Sequence, residues 1–363
     1  MKRGTAILWL SSLLASLALG CGGAYQKMST TSGFQQTNLV SDQPGSAAHV
    51  DRGLLNPWGI AFAPRQPFWI ANNLTGTAKQ FDNTGTAQLP LGVAIPIPTG
   101  NTAPATPTAV VYNPVAQDFV VHGNPAQYLF ATEDGTISTW GQDANGDFPT
   151  SAVMVINNTG AGSVYTGLAI PTPACCREYL ALVDFHNGIV ATRDISFNLL
   201  ATIGNFTDPS LPAGYAPYNI QQIGTQLFVT YAVQDAAKQN AVPGMGNGIV
   251  DIFDQEGTFV RRFVTHGVLN APWGIVQASS NFGPFSNDIL IGNFGDGTIN
   301  AFDPATGNFI GQLRDLSGNT IVNPGLWALS FRNDGVGDPN TLYFTAGLNQ
   351  GRDGLFAAIT YHM

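Results

Sequence analysis

Six near-copies of one short pattern run through the chain. Each copy is an apolar strand, a polar turn that contains glycine, and a second apolar strand. A repeat of about fifty residues with several strands per unit is typical of a β-propeller, in which sheets called blades surround a central axis. The copies cover residues 68–82, 129–143, 180–194, 227–254, 289–303 and 342–359.

Another short strand precedes each copy, and small and branched residues dominate it. Such residues suit the innermost strand of a blade, where neighbouring strands crowd the axis and large side chains do not fit. A variable apolar segment after each copy, such as 87–96 or 151–157, completes an antiparallel blade of four strands. The innermost strands are predicted within 56–64, 108–114, 165–171, 218–224, 271–278 and 325–331.

The last unit lacks one strand, and a spare strand lies at the other end of the chain. Residues 36–42 supply this spare strand and are expected to pair beside residues 354–360. This pairing would close the ring and protect two exposed strand edges. The sequence therefore predicts an all-β, six-bladed propeller over residues 36–363, closed by its N-terminal strand.

The start of the chain has the features of an export signal. Two basic residues precede an apolar stretch over 7–20 that is too short for a permanent transmembrane helix. Small residues before Cys21 resemble the lipobox of bacterial lipoproteins, which implies cleavage before Cys21 and its acylation, and Gly22 then favours the outer membrane. We predict a signal peptide over 1–20 and a lipid-anchored flexible tether over 21–35. The alternative is a secreted protein with an ordinary signal peptide.

Two adjacent cysteines, Cys175 and Cys176, form a second feature of interest. Neighbouring Cα atoms lie about 3.8 Å apart across a trans peptide, which is closer than ordinary disulfides prefer. An oxidising compartment would nevertheless allow a strained vicinal disulfide between them. The alternative is a pair of free thiols in a turn.

The charge of the chain limits its partners. The sequence has 14 Lys and Arg residues in 363 and a formal net charge of −9. Nucleic acid is therefore an improbable partner, and an anionic membrane surface would be reached through the lipid anchor only. We expect a monomer that binds an unknown ligand or an envelope protein.

Two pairs of segments resemble a known group of proteins. The pairs are 54–64 with 68–82, and 269–276 with 289–303. They resemble a family of uncharacterised bacterial secreted proteins, some of which carry a C-terminal PEP-CTERM sorting segment. The resemblance implies a propeller and an extracytoplasmic location, but no known activity. More distantly, the repeat is similar to NHL-type and SMP-30-type six-bladed propellers.

Two sets of loops are expected to meet at one end of the central channel, which we call its mouth. One set leads into the innermost strands, and the other joins the second strands to the third. The turns supply amides and acids, among them Asn73, Glu133 and Asp134, which we interpret as turn residues. Recurring tryptophans there either pack between blades or offer a stacking platform for a ligand. Predicted binding residues at the mouth are Asn56, Trp58, Tyr165, Tyr218, Asn270, Trp273, Asn323 and Trp327.

A calcium site is one hypothesis for this mouth. Amide oxygens of Asn56, Asn270 and Asn323, with a carboxylate from Asp184 or Asp296, would suit a hard cation such as Ca²⁺. SMP-30-type lactonases have a comparable arrangement. The alternative is that the amides only hydrogen-bond their own turns, and no Glu occupies a loop before an innermost strand.

Asp184 and His186 are the one close carboxylate–imidazole pair at the predicted mouth. Residues two apart on a strand point to the same side, so the pair is a candidate base and its orienting group. The alternative is an ordinary turn whose polar groups bond to each other. The sequence has no GxSxG, HExxH or P-loop motif.

These features predict a lipid-anchored, extracytoplasmic propeller that binds a ligand or a partner without catalysis. The first alternative is a Ca²⁺-dependent hydrolase of the lactonase type, with its site at the channel mouth. The second is a structural component of the cell envelope.

Overall fold

The computed structural model describes residues 32–88, 92–173, 177–201 and 203–363. Over these residues, six sheets follow one another around a ring, and their strands are antiparallel except where His49–Val50 pairs parallel with Gly33–Ser41. A separate hairpin joins Val120–Val121 to Asn124–Pro125. The predicted six-bladed propeller is confirmed. Cys21, Cys175 and Cys176 lie outside the described residues, so acylation and the vicinal disulfide stay predictions.

Each blade begins at the axis and continues outward. The innermost strands are Pro57–Ala61, Pro107–Tyr112, Tyr165–Ala169, Tyr215–Ile223, Pro272–Gln277 and Leu326–Ser330. The second strands are Phe68–Asn72, Tyr128–Thr132, Leu180–Asp184, Gln226–Val233, Ile289–Asn293 and Leu342–Ala346. The third strands are Thr77–Phe81, Thr136–Trp140, Ile189–Arg193, Ile249–Phe253, Ile299–Phe302 and Leu355–His362. The outer strands are Val93–Ala94, Val153–Asn157, Phe259–Thr265, Phe309–Gln312 and Gly33–Ser41.

The third blade departs from the predicted four strands. Within the described part of the chain it has three strands, ending with Ile189–Arg193. Beyond that strand, Leu199 meets Arg193 in a single isolated bridge. One bridge does not make a strand, so the outer edge of this blade is irregular.

The N-terminal strand closes the ring as predicted. Gly33–Ser41 pairs antiparallel with Leu355–His362, from Gly33 opposite His362 to Ser41 opposite Leu355. Its buried Phe34 lies 4.9 Å from Phe282, measured between ring centroids. The sixth blade is thus completed by residues from both ends of the fold.

Glycines in the innermost strands let neighbouring blades approach closely. A Cβ placed on Gly59 would lie 2.9 Å from the Ala109 Cα of the next innermost strand. A Cβ on Gly167 would lie 2.9 Å from the Asn219 Cα. Cβ atoms essentially never come this close to backbone atoms, so these positions require glycine.

The remaining elements are short. They are the strands His49–Val50, Val120–Val121 and Asn124–Pro125, the helix Leu348–Gly351, and the 3-10 turns Asn73–Thr75, Thr159–Ala161 and Gly283–Phe285. Among the described residues, no helix has the length and hydrophobicity needed to cross a membrane.

Candidate functional site

A cavity of about 570 Å³ opens at the end of the ring where the innermost strands begin. Every blade contributes to its wall through a loop, a turn or an innermost strand. Cavities of this size accommodate small organic molecules. The lining residues are Asn56, Trp58, Asn73, Glu133, Thr166, Tyr218, Gln239, Asn240, Ala241, Pro243, Phe294, Pro324, Gly325, Trp327, Gly347, Gln350 and Gly351.

A cluster of aromatic rings forms the floor of the cavity. Trp327 is stacked between Trp58 and Phe294, with centroid separations of 3.4 Å and 4.3 Å. Trp273 meets the edges of both other tryptophans, at 6.0 Å from Trp58 and 5.8 Å from Trp327. Packing therefore explains the recurrence of tryptophan in the innermost strands, while Trp58 and Trp327 also face the cavity.

The tryptophan cluster closes the channel at this end. Below it, a gap of about 50 Å³ is bounded by residues of all six innermost strands, Trp273 among them. The Trp273 indole N–H donates to the Thr166 carbonyl at 3.0 Å. Trp273 thus supports the floor from beneath and does not line the mouth cavity.

A chain of hydrogen bonds runs along one wall of the cavity and ends at a carboxylate. The Trp327 indole N–H donates to the Asn56 side-chain oxygen at 3.0 Å. The Asn56 amide donates to the Asn73 side-chain oxygen at 3.2 Å, and the Asn73 amide donates to Glu133 Oε2 at 2.8 Å. In all three hydrogen bonds, the acceptor is the group nearer to Glu133 along the chain.

Glu133 is the acidic group of this cavity. Burial raises the pKa of its carboxyl group to about 7. Two smaller effects act on the same pKa: the hydrogen bond from Asn73 lowers it, and the nearby charge of Asp134 raises it. Burial also raises the pKa of the Tyr218 phenol well above its ordinary value, and the Glu133 charge adds to this effect. A raised carboxyl pKa in a cavity is a recognised mark of a functional site.

Two buried polar groups at the cavity have no partner among the described residues. They are the Trp58 indole N–H and the Thr166 hydroxyl. Both residues are at least nine-tenths buried and line the cavity. Unsatisfied buried donors are uncommon in folded proteins, so an ordered water or a bound molecule is the expected partner.

Four of the eight predicted mouth residues line the cavity, and the other four, Tyr165, Asn270, Trp273 and Asn323, do not. Asn56, Trp58, Tyr218 and Trp327 line the cavity. Tyr165 is buried within the third blade, where its hydroxyl lies 2.5 Å from the Asn158 side-chain amide.

Of the three asparagine amides that the calcium hypothesis requires, those of Asn270 and Asn323 do not line the cavity. The Asn270 side chain accepts from the Gly244 N–H at 2.6 Å and donates to Asp296 at 3.1 Å. Asn323 forms two amide hydrogen bonds with Gln36 of the N-terminal strand, at 2.9 and 3.0 Å. Among these three, only Asn56 lines the cavity, because residues of the fourth and fifth blades hold the Asn270 amide and the closing strand holds the Asn323 amide.

The candidate acids and bases outside the cavity serve their turns. Asp184 accepts from the backbone N–H groups of Val164 and Asn187, both at 3.2 Å. His186 lies beyond the end of the strand and contacts the Gln239 amide at 3.3 Å. The strand ends at Asp184, so the two side chains have separate partners, as in the alternative of an ordinary turn, and a catalytic role for the pair stays a prediction.

Asp296 is likewise used locally, through hydrogen bonds from the Thr298 N–H at 3.0 Å and hydroxyl at 2.7 Å. Across the described ranges, no group of three or more His, Cys, Asp or Glu side chains is placed to hold a metal ion.

Sequence reasoning placed Glu133 at the mouth but assigned it only a turn role. A stronger signal was available in the repeat itself. The residue that directly follows the second strand is Asn73, Phe185, Phe294 or Gly347 in four other blades, and Glu133 in the second. A charged residue at this position in one blade alone indicates that Glu133 gives the cavity its acidic group. The lining residues of the fourth-blade loop, such as Gln239 and Pro243, carried no comparable signal.

Comparisons of sequence identify relatives. No protein-family model matches the chain. An uncharacterised protein of Acanthamoeba polyphaga mimivirus is 34% identical over 331 residues, which cover 88% of this chain and 78% of that protein. A second uncharacterised mimivirus protein is 32% identical over 330 residues, covering 88% and 84%. The chain belongs to the family of these proteins. They are viral, so the bacterial family implied by the sequence resemblance gains no support from them.

Solved structures with the same fold include two enzymes. A streptogramin B lyase superposes with a TM-score of 0.50 at 12% identity, covering 91% of this chain and 98% of that one. The soluble aldose sugar dehydrogenase of Escherichia coli superposes with a TM-score of 0.54 at 12% identity, covering 90% and 99%. At this level of identity the similarity shows the propeller fold alone.

Proposed function

We propose that this protein is a binding propeller that holds a small organic ligand in its mouth cavity and acts outside the cytoplasm. The observation that carries the proposal is the cavity itself, with its aromatic floor, amide-rich wall and single carboxylic acid. Small-molecule sites typically combine a mostly apolar lining with a few convergent polar groups.

Binding is favoured over catalysis by the chemistry of the lining. Glu133 and Tyr218 are the titratable side chains among the residues that line the cavity. The Tyr218 phenol stays protonated at neutral pH because its pKa is raised. A general acid and a general base of complementary pKa values are therefore not paired there. The alternative, a Ca²⁺-dependent hydrolase, would need further carboxylates in the cavity in addition to that of Glu133.

Filling the cavity tests the proposal. Ala241 lines the cavity and packs against the aromatic cluster, so Ala241→Trp should occupy the ligand volume. We expect small amines, alcohols, sugars and aromatic acids screened by saturation-transfer NMR to include binders of the unaltered protein. Those binders should lose their signal with Ala241→Trp.

A matched control separates cavity filling from the addition of a tryptophan. Ala305 is exposed in an outer turn of the fifth blade, so Ala305→Trp should leave binding unchanged. Binders that survive Ala241→Trp, or a screen without any binder, would contradict the mouth as the binding site.

The location outside the cytoplasm rests on the N-terminal signal and on the lipobox resemblance at Cys21. We propose an outer-membrane lipoprotein, with secretion as the alternative. Cys21→Ser is expected to abolish labelling by a radioactive or clickable fatty acid in the expressing cell and to release soluble protein. Labelling that persists in Cys21→Ser would refute the anchor.

A further inference from the structure

We infer that the ligand of the mouth cavity carries a positive charge on an alkylated nitrogen, which the Glu133 carboxylate and the surrounding aromatic rings hold. This inference rests on the proposed function, because it names the class of ligand for the same cavity. Three independent features of the wall support it: its charge, the direction of its hydrogen bonds, and its aromatic surface.

The charge of the lining has one sign. Glu133 is the sole ionisable carboxylic acid among the lining residues, and Lys, Arg and His are absent from that set. An anionic ligand would meet no compensating charge there, at a high desolvation cost. A cation would find a carboxylate in surroundings of low polarity, where opposite charges attract more strongly than in water.

The hydrogen bonds leave one carboxylate oxygen available. Asn73 donates to Oε2, and no donor among the described residues bonds to Oε1. The three aligned donors from Trp327, Asn56 and Asn73 stabilise negative charge on Glu133. The chain therefore presents an anchored, ionisable acceptor to the interior of the cavity.

The aromatic surface suits an alkylated ammonium group. Tyr218, Trp58 and Phe294 line the same cavity, and the Glu133 charge acts on the Tyr218 phenol. Trp327, whose two faces are covered by Trp58 and Phe294, supports these rings. Rings attract a cation within about 6 Å of the ring centroid. Methyl groups on nitrogen spread the charge and bury well against rings, so a quaternary ammonium fits better than a strongly hydrated primary amine.

Protonation of Glu133 then controls affinity. Burial raises the pKa of its carboxyl group to about 7, with Asp134 of the same turn and Tyr218 of the fourth blade as the titratable groups that act on it. Only the ionised carboxylate attracts a cation. Affinity should therefore rise from about pH 6 to about pH 8 and then level off, with little change for a neutral ligand.

The test compares choline with 3,3-dimethylbutan-1-ol, its neutral isostere, as probes of tryptophan fluorescence in the full chain. We expect choline to bind at least about tenfold more tightly than the isostere at pH 8, and Glu133→Gln to reduce choline affinity by a similar factor. Asp134→Asn is the matched control, because Asp134 accepts hydrogen bonds from Thr106 and does not line the cavity. That variant should retain choline affinity within about threefold.

The outcomes are separable. Equal affinity for the two probes, unchanged choline affinity in Glu133→Gln, or no choline binding would each overturn the inference. The Ala241→Trp result would still decide the proposed function. Should Glu133→Gln fail to fold, Glu133→Asp keeps the charge, and the pH dependence of choline binding to the unaltered protein tests the role of the carboxylate without any substitution. Choline affinity that stays constant between about pH 6 and about pH 8 would then overturn the inference.

Discussion

A chain that lacks residues 34–43 is expected to lose its folded ring. The deletion removes the outer strand of the sixth blade and leaves the edge of Leu355–His362 unpaired. It also removes Phe34 and Val40, which belong to two different core clusters. Open strand edges invite aggregation. Circular dichroism and size-exclusion chromatography should show a lost thermal transition and aggregated protein.

Point variants separate the strand's side chains from its backbone. Phe34→Ala removes a buried ring that packs on Phe282, so we expect the free energy of unfolding to fall by about 3–5 kcal/mol. The matched control is Gln35→Ala, because Gln35 is exposed on the same strand, and it should change stability by less than about 0.5 kcal/mol. A deletion variant with the parental melting temperature would show that the ring holds without this strand.

Trp327→Ala is expected to have the second largest effect. The Trp327 ring is stacked between Trp58 and Phe294, and the Trp327 indole N–H is the first donor in the chain of hydrogen bonds to Glu133. Truncation leaves a void on the axis and should cost about 3–5 kcal/mol of unfolding free energy, measured by urea denaturation. It should also abolish ligand binding at the mouth.

Trp327→Phe distinguishes packing from hydrogen bonding. Phenylalanine keeps much of the stack but cannot donate to Asn56. We expect a smaller loss of about 1–3 kcal/mol. Equal losses in both variants would mean that the hydrogen bond to Asn56, and not the stack, stabilises the floor.

The blades could be predicted because their information is local and repeated. Each unit carries its own apolar alternation and glycine turn, so six weak signals support one architecture. Ring closure followed from counting strands, since the last unit was one short. The fourth strand predicted for the third blade did not form, because its outer segment meets Arg193 in only one bridge. The repeat pattern does not contain this detail.

The site was harder to predict because equivalent positions in a repeat need not have equivalent partners. Asn56, Asn270 and Asn323 hold similar places before their strands, yet they bond to Asn73, Gly244 and Gln36 respectively. Those partners come from segments with no fixed spacing to the asparagines. The tertiary contacts, and not the motif, decide which amide reaches the cavity.

Asp184 and Glu133 show the same limit for titratable groups. Asp184 was a candidate base from its spacing to His186, but its Oδ1 accepts from two backbone N–H groups and its Oδ2 accepts from the Asn187 side-chain amide. Glu133 looked like a turn residue, but the fold encloses it beside Tyr218. Hydrogen-bond partners decide the role of Asp184 and burial raises the pKa of Glu133, and both depend on tertiary contacts of the closed ring.

The register of the closing strand fixes which end of the ring each end of that strand occupies. Gly33 pairs with His362, at the face opposite the cavity, and Ser41 pairs with Leu355 at the cavity face. Ser32, which is exposed beside Gly33, therefore lies at the end of the ring opposite the mouth. A label attached to Ser32 would leave the cavity open to diffusing solutes.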